Sequence, residues 1–136
     1  MKKRITVQAA KSKGRKLQEA IATDIRNEME LTDYECRSNP ASLVGMDIIL
    51  NWKGKQKFPF ASELKHHEKL NIWSALKQAE DNCEGLFPLL VFRRNHTSTY
   101  ACLEWSVFLQ MCKTCFGGVV PVRASYPENN EEANNE

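Results

Sequence analysis

Three residues in two apolar stretches have the types and spacing for hydrolytic chemistry: Asp47 in Gly45-Met46-Asp47-Ile48-Ile49-Leu50, and Glu63 with Lys65 in Phe60-Ala61-Ser62-Glu63-Leu64-Lys65. Strand interiors disfavour Asp, Glu and Lys unless something compensates the charge. A strand over Met46–Trp52, a basic turn at Lys53–Lys57 and a strand over Phe58–Lys65 would make antiparallel neighbours, with Asp47 and Glu63 at the same end. Residues two apart on a strand share a face, so Glu63 and Lys65 stand side by side while Leu64 points into the core. Two carboxylates that close repel unless a cation sits between them, and hard oxygen ligands select Mg²⁺, with Mn²⁺ as a substitute. A lysine there can orient an attacking water or neutralise charge growing on phosphorus. The same residues also fit blander roles: Asp47 as a turn cap, and Glu63 with Lys65 as an ion pair at a sheet edge.

The elements that must position them follow from periodicity. Leu17, Ile21, Ile25 and Met29 recur at helical spacing, which predicts a helix over Gly14–Met29. Tyr34–Arg37 is short and strand-like, and residues 38–45 form a loop rich in turn formers. A second helix is predicted from Glu68 to Asn82 on an apolar stripe of Ile72, Leu76, Ala79 and Cys83, ending at Gly85. Leu86–Arg93 is apolar nearly throughout, as suits a strand covered on both faces. A turn at Asn95-His96-Thr97, a strand over Ser98–Leu103 and a helix over Glu104–Cys112 complete an α/β sandwich with a mixed central sheet flanked by helices.

With 136 residues, 42% hydrophobic and 26% charged, the chain suits one ordinary globular domain. No apolar run approaches the roughly 18 residues of a membrane span, and the N-terminus lacks the apolar segment of a signal peptide, so the protein is expected to act where it is made. Five cysteines, odd in number and irregularly spaced, argue against a disulfide framework; Cys112-Lys113-Thr114-Cys115 has no second pair to complete a zinc site. The net charge of +2 hides an asymmetry. Lys2, Lys3, Arg4, Lys11, Lys13, Arg15 and Lys16 crowd the first sixteen residues without an acid, while Glu128, Glu131, Glu132 and Glu136 close the chain without a base. A basic segment of that density suits a polyanion such as nucleic acid. Residues 1–13 are thus expected to be a basic arm, and 117–136 an acidic, disordered tail.

Asp47 within Gly45-Met46-Asp47-Ile48-Ile49-Leu50, and Glu63-Leu64-Lys65 at the end of the next strand, resemble the signature of the PD-(D/E)xK nucleases. The likeness is strongest to the archaeal and phage-type Holliday junction resolvases and spans roughly Gly14 to Gln110. The helix start Gly14-Arg15-Lys16-Leu17-Gln18, the loop serines, Trp73 with Gln78 and the strand Pro88–Arg93 add to it. What the resemblance implies is a restriction-endonuclease-like αβββαβ core over residues 14–116, with Asp47, Glu63 and the Leu64 carbonyl as ligands of Mg²⁺ and Lys65 as base or charge stabiliser. The signature proline is replaced by Met46, and the glutamate that such nucleases often supply from their first helix falls at Gln18. A helical wheel puts Gln18 inside the arc of Leu17, Ile21, Ile25 and Met29 and Glu19 outside it.

The implied activity is a structure-specific DNA endonuclease, a homodimer nicking opposing strands of four-way junctions with a metal-activated water, in the cytoplasm (the host's, for a viral chain). Alternatives are a nickase or restriction-type nuclease with the same site, or a non-catalytic module binding branched DNA. DNA contacts are expected from Lys3, Arg4, Lys11, Lys13, Arg15 and Lys16, from Ser38 and Ser42 in the loop before Asp47, from His66, and from Gln78, which falls off the apolar stripe of its helix. Ser38 and Ser42 serve equally well as turn formers.

Overall fold

The computed structural model describes residues 6–40 and 44–117. The predicted first helix begins seven residues early: α1 spans Val7–Met29, about 35 Å of helix at the usual rise. Thr6 sets its start, its hydroxyl accepting the Ala9 N–H (3.2 Å) and relieving one of the first turn's unpaired donors. Glu30 ends it in the left-handed region at φ 53°, its N–H returned to the Arg26 carbonyl. Leu17, Ile21, Ala22 and Ile25 are buried, one stripe of a helix that is otherwise wet. Lys11 and Lys13, expected on a basic arm preceding the first helix, therefore lie on α1; Lys3, Arg4 and Ser42 lie outside the described residues, as does the acidic tail beyond residue 117.

Strands β1 (Cys36–Ser38) and β2 (Ile48–Leu50) pair antiparallel, Cys36 opposite Leu50 and Ser38 opposite Ile48. Helix α2 (Trp52–Lys57) follows, where the sequence predicted a turn. Asn51 caps it, Oδ1 accepting the Gly54 N–H at 2.9 Å, and buried Gly54 lets it pack on the residue just before β1, where a Cβ would collide with the Glu35 carbonyl oxygen.

Strand β3 (Phe60–His66) lies parallel to β4 (Phe87–Arg93), and β5 (Tyr100–Cys102) runs antiparallel to β4, giving a mixed three-stranded sheet in the order β3-β4-β5. The parallel pair requires a crossover, which contains α3 (Ile72–Asp81). Asn71 caps α3, Oδ1 accepting the Ser74 N–H at 3.1 Å, so the helix starts four residues later than predicted. Its buried line is Ala75 and Ala79, whereas Ile72 is 40% exposed: small side chains let the helix lie close on β3 and β4. Leu89, Leu90 and Val91 are buried in succession, as expected of a strand covered on both faces.

The antiparallel pairing expected between the strands of Asp47 and Glu63 does not form. β2 pairs with β1, and no ladder joins β2 to β3 among the described residues. With a capped helix in place of a tight turn, the chain cannot fold straight back as a hairpin. The two meet instead through the Asp47 N–H, which donates to the Ser62 carbonyl at 3.2 Å.

Among the described residues a second unit begins at Trp105, and in it α4 (Trp105–Phe116) runs four residues past its predicted end. Trp105 and Phe108 stack on it with centroids 5.7 Å apart. All five cysteines are free thiols. No helix among the described residues is long and apolar enough to cross a membrane.

Candidate active site at the edge of the mixed sheet

Ser62 and Leu64 present their main-chain polar groups on the side of β3 that faces away from β4, because alternate residues of a strand bond to opposite sides. Asp47 occupies that edge. Its N–H goes to the Ser62 carbonyl, and its Oδ2 accepts the Leu64 N–H at 2.7 Å. In an extended strand a residue's N–H and C=O leave on one side, so the Leu64 carbonyl also faces the edge where Asp47 is docked. On the Asp47 flank, the Asn39 N–H donates to the Asp47 carbonyl at 2.8 Å, and the Asn39 amide to the Met46 carbonyl at 2.8 Å, which locks the loop before β2.

Gln18 approaches from α1, its side-chain amide donating to Asp47 Oδ1 at 3.2 Å. The wheel's choice of Gln18 thus matches its geometry. Glu63 sits one residue before Leu64 and is only 4% exposed, yet it is not buried alone. Lys65 Nζ stands 3.2 Å from its Oε1 and donates to Gln78 Oε1 on α3 at 2.9 Å. The Asn82 side chain, just past the end of α3, favours the charged form of the same carboxylate.

Burial is the main influence on both acids, and it raises both pKa values above the ordinary carboxylate range. For Asp47 the rise is opposed by the Leu64 N–H, the nearby Lys65 charge and the Gln18 amide. For Glu63 the Asp47 charge adds to the rise, while Lys65 and Asn82 oppose it. Asp47 and Glu63 are therefore close enough to repel, which is the electrostatic condition a divalent cation relieves. Two carboxylates and a main-chain carbonyl are hard oxygen donors that fit Mg²⁺ or Mn²⁺, although no group of three acids, histidines or cysteines exists among the described residues.

A cleft of about 590 Å³ runs along α1 to Asp47, lined by Lys11, Gly14, Arg15, Gln18, Glu19, Ser38, Asn39 and Pro40. Lys11 and Arg15 make its approach basic. Ser38 is committed within the protein, its hydroxyl donating to Glu19 Oε1. Glu19 lies outside the buried arc as the wheel predicts, but it lines the cleft, which the wheel could not reveal. Asn39 and Asn82 were not anticipated either; both act through loop or helix-end geometry that carries no periodic signal.

His66 and Lys13 lie apart from this cleft. His66 Nε2 is 3.0 Å from Asn95 Oδ1, the oxygen to which Lys13 Nζ also donates at 3.0 Å. Both expected DNA contacts are thereby tied to the turn after β4. Lys16 is exposed on α1.

No protein-family model, no curated protein and no solved structure matches the chain.

Proposed function

We propose that the protein is a metal-dependent, structure-specific DNA endonuclease, and that its substrate is a four-way junction nicked by a homodimer. The observation that carries this reading is the docking of Asp47 on the outer edge of β3, beside buried Glu63 and with Lys65 on the same strand. The restriction-endonuclease-like core is part of the same proposal. Its support is the order of elements around the mixed sheet and the strand context of the two acids.

In this reading the Leu64 N–H and the Gln18 amide fix the carboxylate plane of Asp47, so that no reorganisation is needed when substrate arrives. Glu63 completes the donor set with Asp47 and the Leu64 carbonyl. When bound, Mg²⁺ or Mn²⁺ supplies Lewis acidity toward the phosphate and lowers the pKa of the attacking water. Lys65, held between Glu63 and Gln78, carries a positive charge to the position where charge accumulates on phosphorus. Lys11 and Arg15 line the path along which a phosphate backbone reaches Asp47.

The test is incubation of labelled four-way junction, linear duplex and single strand with the protein, in Mg²⁺ or in EDTA. Symmetric, Mg²⁺-dependent nicks on the junction are expected. Mg²⁺-dependent cutting of linear duplex would make it a nickase or restriction-type nuclease instead. Binding without any product would leave a non-catalytic branched-DNA module, a reading favoured by one observation: the side chain that reaches Asp47 from α1 is an uncharged glutamine.

A further inference from the structure

A second cavity, of about 350 Å³, opens where the parallel strands end, lined by His67, Glu68, Leu70, Phe92, Arg93, Arg94, Thr97 and Tyr100. That volume lies within the range of small-ligand sites, and the carboxyl ends of parallel strands are where such sites form. Its lining combines two features. Phe92 and Tyr100 face each other across β4 and β5, with ring centroids 6.2 Å apart and planes inclined by 33°, and Tyr100 is 59% exposed. Arg93 and Arg94 bring two permanent charges, and neither is ion-paired among the described residues. Among the described residues of the lining Glu68 is the one acid, its Oε1 accepting the Asn95 N–H at 2.8 Å, and two guanidinium charges against one carboxylate leave the balance basic.

From this pairing of aromatic faces with a guanidinium group we infer that the cavity binds an unpaired nucleotide, its base stacked on Tyr100 and Phe92 and its phosphate held by Arg94. An unpaired base offers a π-face and an adjacent phosphate, whereas a base inside a duplex has both faces covered. Strand register relates the cavity to the acid site. Lys65 pairs with Phe92 and Phe92 with Tyr100, so the three side chains form one row on one face of the sheet. The inference goes beyond nuclease activity and does not require it, because neither the aromatic row nor the two arginines belongs to the acid pair.

Fluorescence anisotropy in EDTA, where no cutting occurs, tests it with labelled oligo-dT, the same strand paired as a blunt duplex, and the free mononucleotide dTMP as competitor. The variants are Tyr100→Leu, which keeps the apolar strand position, Arg94→Gln, and Lys77→Gln as a control for an exposed cation elsewhere. Loss of about tenfold in oligo-dT affinity is expected for Tyr100→Leu and for Arg94→Gln, with duplex binding little changed for Tyr100→Leu and wild-type behaviour for Lys77→Gln. Competition by dTMP would mean that one nucleotide suffices; its absence, with oligo-dT binding lost in both variants, would mean that the strand on either side is needed. Unchanged oligo-dT affinity in Tyr100→Leu overturns the inference. So would an equal loss in Lys77→Gln, or displacement of oligo-dT by poly-glutamate at matched charge, since either reduces the site to nonspecific attraction of anions.

Discussion

At the scale of single residues, the site is a contest between burial and compensation. Asp47 and Glu63 are each held above their ordinary pKa by desolvation, and Glu63 further by its neighbour. If they are the metal ligands, Asp47→Asn or Glu63→Gln lowers junction cutting by roughly 10³-fold, the loss of about 4 kcal/mol of transition-state stabilisation, while gel-shift affinity for the junction in Ca²⁺ survives. Full activity in either variant means that the ligands lie elsewhere. The raised pKa of Glu63 also has a consequence for stability without metal. A folded-state pKa above the unfolded value means that ionisation costs stability: the cost is complete above the folded pKa and vanishes below the ordinary glutamate range. Gln at this position keeps an acceptor for Lys65 and removes the charge. Thermal melts in EDTA should therefore find Glu63→Gln more stable than wild type at pH 8, with the gap closing as the pH falls through that window. A gap that ignores pH would show that the carboxylate is ionised without penalty. Gln18→Glu puts a third carboxylate against Asp47, so the metal-free melt should fall, by roughly 0.5–2 kcal/mol of stability, and Mg²⁺ should restore it by a larger increment than in wild type. No added Mg²⁺ response would place position 18 outside the metal's reach.

At the scale of elements, what could be read from the sequence was periodicity, and what could not was capping. Leu17, Ile21 and Ile25 announced the buried stripe of α1, and the apolar run Leu89–Val91 announced a strand covered on both sides. Thr6, Asn51 and Asn71 decide where α1, α2 and α3 begin, through single hydrogen bonds that leave no periodic trace: α1 and α3 start away from their predicted positions, and α2 stands where a turn is predicted. The hidden α2 had the larger effect, because it turned an expected hairpin into two separately paired sheets. The acids were still found, since their strand-edge placement depends on the residues next to them and not on the connection. Gly54 is the position at which α2 is most exposed to substitution. Gly54→Ala forces a Cβ toward the Glu35 carbonyl and should cost about 1–3 kcal/mol, visible as a lower urea midpoint with an unchanged m-value. An unaltered midpoint would mean that α2 shifts freely away from the Glu35 carbonyl.

For the whole molecule, a net charge of only +2 conceals a basic approach along α1. Lys11→Gln and Arg15→Gln should weaken binding to all DNA forms alike and each flatten the dependence of log affinity on log salt by about 1, as measured by anisotropy between low and physiological salt. A sequence- or structure-dependent loss would assign those residues to recognition instead of backbone contact. The same α1 reaches both sheets, contacting β1 and β3, yet the sheets themselves meet at the Asp47 main chain and carboxylate. That seam makes the timing of folding matter. Neither sheet holds both acids, so a chain that has formed only one of them possesses half a site, and the pair appears only when the two dock. Hydrogen exchange reads the seam directly: the Leu64 amide is bonded to the Asp47 carboxylate from across it, so each opening that exposes this amide also takes Asp47 off the edge of β3 and dismantles the acid pair.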